Sequence, residues 1–236
     1  MSTTGLQKRS KEKRVSQLEL SITTLVAIGA CWLSYLALIA FTESSFLTAA
    51  YTGGKEELAS KIFSGIIHIF VSIAAALYYT GDIRLKSWRR ISMWILGYFL
   101  FDTARSFYQW TFSHKAIYLL FPSLIHHSIV VIMLLCYFYK YPKLVAQGLL
   151  SEFTTPILYA CWIFDQVGKA AVLKAFGAFL VILGFLVLRF YNFLYINNEL
   201  KKRKAPTEEL AMLWMVILVN VGFFAFIMDK VVEWLW

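Results

Sequence analysis

Residues 118–139 read YLLFPSLIHHSIVVIMLLCYFY, twenty-two positions without an Asp, Glu, Lys or Arg. As a helix rising about 1.5 Å per residue, this run reaches about 33 Å, enough to cross a hydrocarbon core about 30 Å thick. It also carries two adjacent histidines, His126 and His127. One stretch therefore predicts both the fold class and a place to look for chemistry.

Six further apolar runs of similar length lie outward from it, at 20–41, 61–80, 91–111, 143–163, 171–195 and 210–230. The composition agrees: of 236 residues 59% are hydrophobic and 16% charged, against about 25% charged in a soluble domain, and the mean hydropathy is +0.63. The expectation is an all-α integral membrane protein of about seven transmembrane helices. Its parts are a basic N-terminal tail (1–19), a first transmembrane helix and loop (20–54), and a membrane domain (55–236). Lys8, Arg9, Lys11, Lys13 and Arg14 precede an apolar run too long for a signal-peptide core, so the first span is expected to be retained.

The net charge of +9 comes from short basic runs beside the spans. Counting Lys and Arg puts 15 on the N-terminal side and 6 on the other, with Arg105 and Arg189 left inside the membrane. This predicts a cytosolic N-terminus and an outward C-terminus, opposite to seven-helix receptors. The Asp82–Arg90 and Asn197–Lys204 loops would then face the cytosol together. Such runs set topology, and they also suit an anionic headgroup or a CoA ester; nucleic acid is not an expected partner. Cys31, Cys136 and Cys161 fall in apolar stretches without CxxC spacing and read as small buried residues, not as a disulfide or metal site. Trp88, Trp110, Trp234 and Trp236 flank spans and read as interfacial anchors.

An ionisable Asp, Lys or Arg near the bilayer centre costs about 2.5–3.5 kcal/mol on insertion scales. The informative polar residues are therefore His68, Asp102, Arg105, His126, His127, Glu152 and Arg189. His68, Asp102, His126, His127 and Glu152 each lie within about two residues of a span midpoint, one layer about 3 Å deep on either side. A shared polar chamber explains that layer. Adjacent helical residues point about 100° apart, so the doublet would line one side of it. Neutral imidazole serves as nucleophile, base or hydrogen-bond donor; plain hydrogen bonding across helices is the alternative. Pro156 stands four residues after Glu152 and deprives its carbonyl of a helical donor, which predicts a kink there, with Ser151, Thr154 and Thr155 available to the freed backbone. Asp102 and Arg105 share a helical face, either as an internal ion pair or with Asp102 turned toward a histidine. For Arg189 snorkelling toward the headgroups is the default, and binding an anionic group the alternative.

The ordered set resembles the TLC domain shared by ceramide synthases and smaller membrane proteins. The residues that carry it are Ser64-Gly65-Ile66-Ile67-His68, Gly97-Tyr98-Phe99-Leu100-Phe101-Asp102, the His126-His127 doublet, Leu150-Ser151-Glu152-Phe153-Thr154-Thr155-Pro156, and Arg189, spread over roughly 55–230. The resemblance implies six helices around a central lipid-accessible cavity with one additional helix, and an endomembrane location, commonly the endoplasmic reticulum. It implies acyl transfer from acyl-CoA, with His126 as nucleophile, His127 as partner acid/base and Asp102 as an orienting carboxylate. The sequence departs from ceramide synthases after the doublet, where their acidic His-Asp and Asp motif is replaced by Ser151-Glu152-Phe153-Thr154-Thr155-Pro156; this is the pattern of the smaller members. The expected function is a membrane lipid acyltransferase. The alternative is a non-catalytic lipid-binding or sensing protein that regulates membrane composition or escorts cargo. Acyl-CoA would be a co-substrate, no cofactor or metal would be bound, membrane lipids would be the partners, and homodimerisation is left open. Four histidines, His114 among them in a loop, are too few for a di-iron desaturase, and no inverted repeat points to a transporter.

Overall fold

A computed structural model describes residues 3–43, 55–113, 117–138, 140–166 and 171–235. His114, Trp236 and the side chains of Trp110 and Trp234 lie outside the described residues. Apart from short turns, the described residues are helical. The helices are α1 (Thr3–Glu43), α2 (Lys55–Thr80), α3 (Leu85–Ser113) and α4 (Ile117–Ile132), the last continued by a π-helical stretch (Met133–Tyr137). Then come α5 (Pro142–Leu149), a 3-10 turn (Leu150–Phe153) and α6 (Thr154–Gln166). α7 (Ala171–Gly184) runs through a second π-helical stretch (Phe185–Tyr191) into α8 (Asn192–Lys202), and α9 (Thr207–Leu235) ends the bundle.

Among the described residues, four helical segments can cross a membrane by length and composition: Gln17–Thr42, Glu56–Thr80, Ala175–Lys202 and Thr207–Asp229, with Leu124–Tyr137 a shorter apolar one. α3 is long but carries Asp102 and Arg105. The outer surface is apolar: Leu25 is 68% exposed, Leu33 71% and Leu218 66%. A water-soluble fold rarely leaves such a surface bare, whereas hydrocarbon solvates it and leaves every backbone polar group to be satisfied within a helix. The molecule is an all-α membrane protein.

The turns 81–84, 140–141 and 203–206 lie at one end of the bundle, called here the basic end. Gly81 closes α2 with φ +100, a left-handed helix cap that suits glycine; Asp82 N–H then donates back to Leu77 O at 2.9 Å. Pro142 starts α5 at a position where its missing N–H costs nothing. At this end Arg90 donates to Glu19 (2.7 Å), tying α3 to α1, while Lys140 (2.5 Å) and the Tyr141 hydroxyl (2.9 Å) donate to Glu209, tying the 140–141 turn to α9.

Three sequence-based expectations are corrected. The predicted loop from Asn197 is helix as far as Lys202. Its polar run hides a buried stripe of Ile196, Asn197 and Leu200, with Glu199 and Lys202 paired at 2.8 Å on the other side. Trp88 is no interfacial anchor: it is fully buried and stacks on Tyr78 with centroids 4.8 Å apart, because the face of α3 it occupies packs against α2. Cys136 is exposed on the outer surface, whereas Cys31 and Cys161 are buried as expected.

The largest core cluster joins α1 to α5, and α1 packs most extensively on α3. Gly97 permits that approach, since a Cβ there would lie 2.6 Å from Ala27 Cβ and 2.8 Å from Thr24 O. Small residues at such crossings let membrane helices reach van der Waals contact. Gly97→Val should therefore destabilise the protein by about 1–3 kcal/mol, while Gly222→Val, with no neighbouring atom within 4 Å, should not. Thermal unfolding of the purified variants checks this; equal behaviour would show that the α1–α3 crossing does not depend on the glycine.

Candidate functional site

The polar layer expected from the spans forms two linked groups. α3 supplies Asp102 to the first. Arg105 Nε donates to Asp102 Oδ1 at 2.9 Å, and its Nη2 also reaches Oδ1. Arg105 Nη1 donates to Ser60 Oγ on α2, and Ser64 Oγ donates to Asp102 Oδ1 at 3.5 Å. The other carboxylate oxygen, Oδ2, lies 3.4 Å from His127 Nε2. Both readings of Asp102 hold at once, one oxygen serving the ion pair and the other the histidine. His127 Nδ1 meets Thr103 Oγ1 at 3.4 Å, so both ring nitrogens have neighbours. Its side chain is only 7% exposed.

Glu152 is the centre of the second group. The expected kink at Pro156 takes the form of the 3-10 turn Leu150–Phe153. Ser151 Oγ donates to Gly148 O at 2.7 Å and Thr154 Oγ1 to Ser151 O at 2.9 Å, so nearby hydroxyls cover the disturbed backbone. The turn aims Glu152 inward, where its Oε1 lies 3.2 Å from His126 Nε2 and its Oε2 3.3 Å from His68 Nε2. Two imidazoles on different helices thus hold one carboxylate that is itself 1% exposed.

These contacts constrain where the protons sit. His68 Nδ1 lies 2.6 Å from the Ser64 carbonyl, which only accepts, so Nδ1 carries a hydrogen. The neutral ring would then turn a lone pair toward Glu152. The contact at His68 Nε2 requires a further proton shared between that ring and the carboxylate. At His126 the ordinary arrangement suffices: Nε2–H donates to Glu152, and Nδ1 keeps the lone pair.

Phe99, which is fully buried, is the apolar hub, with its ring 5.9 Å from His68, 6.3 Å from His126 and 5.3 Å from His127. Tyr98 and Tyr159 close on His68 edge-to-face at 5.4 and 6.5 Å. The expected open polar chamber is instead filled by the side chains themselves. Unpaired polar atoms are costly in hydrocarbon, and the bundle closes on them. Among the described residues no His, Cys, Asp and Glu cluster has metal-holding geometry.

Arg189 does not snorkel. It is 5% exposed and turns inward, because the π-helical stretch that carries it packs beside the 3-10 turn and α9. Its Nε donates to Thr154 Oγ1 at 2.9 Å and its Nη1 to Asn220 Oδ1 at 2.7 Å. Its hydrogen-bond link toward the Glu152 group runs through Thr154, and Glu152 also acts on it through space. Asn220, Phe223, Thr103 and Ser60 were not singled out from the sequence; of these, Asn220 had a readable signal, an amide in the middle of an apolar span.

His126 differs from the other two clustered histidines in having a side chain 15% exposed, and its ring meets Phe223 at 6.0 Å. An apolar cleft of about 70 Å³ opens at the basic end, lined by Ile129, Met133, Tyr141, Phe193, Glu209 and Val216 among others. One turn deeper than Ile129, Phe193 and Val216 stand His126, Arg189 and Asn220. The cleft walls thus stand one helical turn from the polar layer. A second cleft, about 340 Å³, faces outward between α2, α6 and α7 beside Phe153 and Pro156.

The Asp102–Arg105 pair gives a stability test. Asp102→Asn leaves a buried guanidinium without its countercharge and should cost about 3–5 kcal/mol. The double variant Asp102→Leu/Arg105→Met should recover most of that loss in thermal unfolding. Equal losses in both would show that the two charges are not matched to each other.

The comparisons with known proteins bear on this geometry. The family model described as the TLC domain matches residues 57–230, about three quarters of the chain. The matched range takes in every site residue from Ser60 to Phe223. Comparison with curated proteins and with solved structures finds no match. With well over half of its length matched by that one model, the chain belongs to the TLC-domain family, and its function concerns membrane lipids.

Proposed function

We propose that the protein transfers a fatty acyl group from acyl-CoA to a lipid acceptor, with His126 as the nucleophile. The observation that carries this reading is an imidazole whose side chain is 15% exposed, one helical turn from Ile129 in the cleft wall, and backed by a buried carboxylate, Glu152, 3.2 Å behind it. Glu152 holds Nε2–H, so Nδ1 carries the attacking lone pair. Attack on the thioester carbonyl forms an N–acyl bond and breaks the C–S bond, and CoA leaves as thiolate. The acceptor's hydroxyl or amine then attacks the acyl carbon and releases His126. The acceptor's proton ends on the CoA sulfur, so the two steps balance. Glu152 stabilises the imidazolium character that develops at each step, and His68 fixes Glu152 from the far side. His127 takes the supporting place beside Asp102. The basic end, with Lys140, Lys143 and Lys201–Lys204, suits the CoA phosphates. We place that end in the cytosol and the protein in an endomembrane such as the endoplasmic reticulum.

A second reading is lipid binding without chemistry. It is favoured by how fully His68, Asp102, Arg105, His127 and Glu152 satisfy one another, as a structural polar core would.

Intact-protein mass spectrometry after incubation with long-chain acyl-CoA separates the two. Wild type should gain one acyl group and His126→Ala none. Glu152→Gln should lower the rate of adduct formation about 100-fold or more, whereas His127→Ala should keep measurable labelling. Labelling that persists in His126→Ala removes that residue from its role. A wild type that forms no adduct and labels no added lipid selects the binding reading.

A further inference from the structure

We propose that Arg189 is the binding site for the carboxylate of a long-chain acyl ligand, seated at the floor of the cleft that opens at the basic end. The proposal goes beyond acyl transfer and stands whether or not transfer occurs.

Its first support is a buried charge without a direct ion-pair partner among the described residues. Two arginines are buried in the bundle, each 5% exposed. Arg105 is neutralised by Asp102. Arg189 has no carboxylate within ion-pairing distance among the described residues; its hydrogen-bond partners Thr154 and Asn220 are neutral, and the Phe185 ring lies 4.6 Å from its Cζ. Glu152 acts on it through space only, and a buried cation whose hydrogen bonds all go to neutral groups is stabilised by a ligand that brings the opposite charge into direct contact.

Its second support is a built frame. The Thr154 hydroxyl spends its hydrogen on Ser151 O at 2.9 Å, so its oxygen accepts from Arg189. The Asn220 amide spends its Nδ2 on Val216 O at 2.8 Å, so its Oδ1 faces the guanidinium. Both partners are fixed by other bonds before they meet the arginine. Two of the five guanidinium N–H groups are accounted for in this way, and the remaining three form a fork suited to the two oxygens of a carboxylate. The side chain rises from a π-helical stretch (Phe185–Tyr191), a widened turn that recurs at functional sites.

Position chooses the ligand. Arg189 lies near the middle of the apolar segment Ala175–Lys202, about 20 Å along the helix from its basic end at Lys202. A ligand reaching it must bring an apolar body through a cleft walled by residues such as Ile129, Phe193 and Leu213. A carboxylate brings one charge to meet one guanidinium. A phosphate monoester would bring a second charge for which the described residues at the floor offer no second arginine or lysine. If His126 does transfer acyl groups, the same guanidinium faces the acyl oxygen as charge develops on it.

The test is binding of tritiated oleate to the purified full-length protein in nanodiscs, with oleyl alcohol and oleyl phosphate as competitors. Wild type should prefer oleate over oleyl alcohol by about tenfold or more, the weight of a charge-assisted hydrogen-bonded pair. Arg189→Gln should lose that preference while still binding the alcohol, and Arg189→Lys should restore part of it. Asn220→Asp, which places a carboxylate beside Arg189 and keeps the side chain's shape, should abolish the preference even if Arg189→Gln does not fold. Equal wild-type affinity for oleate and the alcohol overturns the proposal, as does full oleate preference in Arg189→Gln or Asn220→Asp. Displacement by oleyl phosphate at tenfold lower concentration than by oleate overturns the assignment to a carboxylate.

Discussion

Charge inside hydrocarbon has to be matched within the protein, and the rest of this bundle is arranged around that demand. Glu152 is gripped by imidazoles from α2 and α4, and Asp102 is shared between Arg105 on its own helix and His127 on α4. These contacts fix the rotation of three helices and a turn about their axes. They explain why the 3-10 distortion sits where it does: a regular helix through Leu150–Phe153 would turn Glu152 another way. Phe99 fills the space between the two groups and excludes lipid from both. Removal of any one member leaves another buried and unmatched, so the layer behaves as a unit.

Function is then a question of which member keeps a free edge. His68 and His127 are enclosed, and the His126 side chain is 15% exposed. Arg189 is buried one helical turn from Phe193 in the cleft wall, outside the ion-paired groups. The layer thus combines a saturated interior with a more exposed edge at His126. This division accounts for two readings from one geometry: the interior looks structural, and the edge looks like a site.

Most of the layer was legible because polar residues in apolar runs are expensive and therefore few. His68, Asp102, His126, His127 and Glu152 were identifiable by depth alone, and Pro156 announced the break beside Glu152. The partners were not legible. Whether Glu152 meets His126 or His127 depends on helix rotation, and the doublet's residues point about 100° apart, so each imidazole found its own carboxylate. Arg189 was misplaced because a span measured to residue 195 puts it near a membrane edge, whereas the helix runs on to Lys202. Trp88 misled for a related reason: tryptophan beside a span suggests an interface, but burial follows the helix face and not the distance to the span's end. α8 shows the opposite fault, a charged run that reads as loop although its buried stripe keeps it helical.

The two π-helical stretches, Met133–Tyr137 and Phe185–Tyr191, carry a consequence for numbering and descent. A π turn closes its hydrogen bonds one residue later than an α turn, so each stretch accommodates an extra residue and rotates the helix beyond it by about 100°. The helices that begin at Ile117 and Ala171 are therefore each two segments in separate register. Laid without a gap against an uninterrupted α-helix, either one can match on one side of its bulge only. If His126 is in register, the residues beyond Tyr137 are one place out. If Ala178 and Val181 are in register, Asn192 and Asn197 are not. For this fold, a single-residue insertion is a trace of architecture to be read and not an error to be smoothed away.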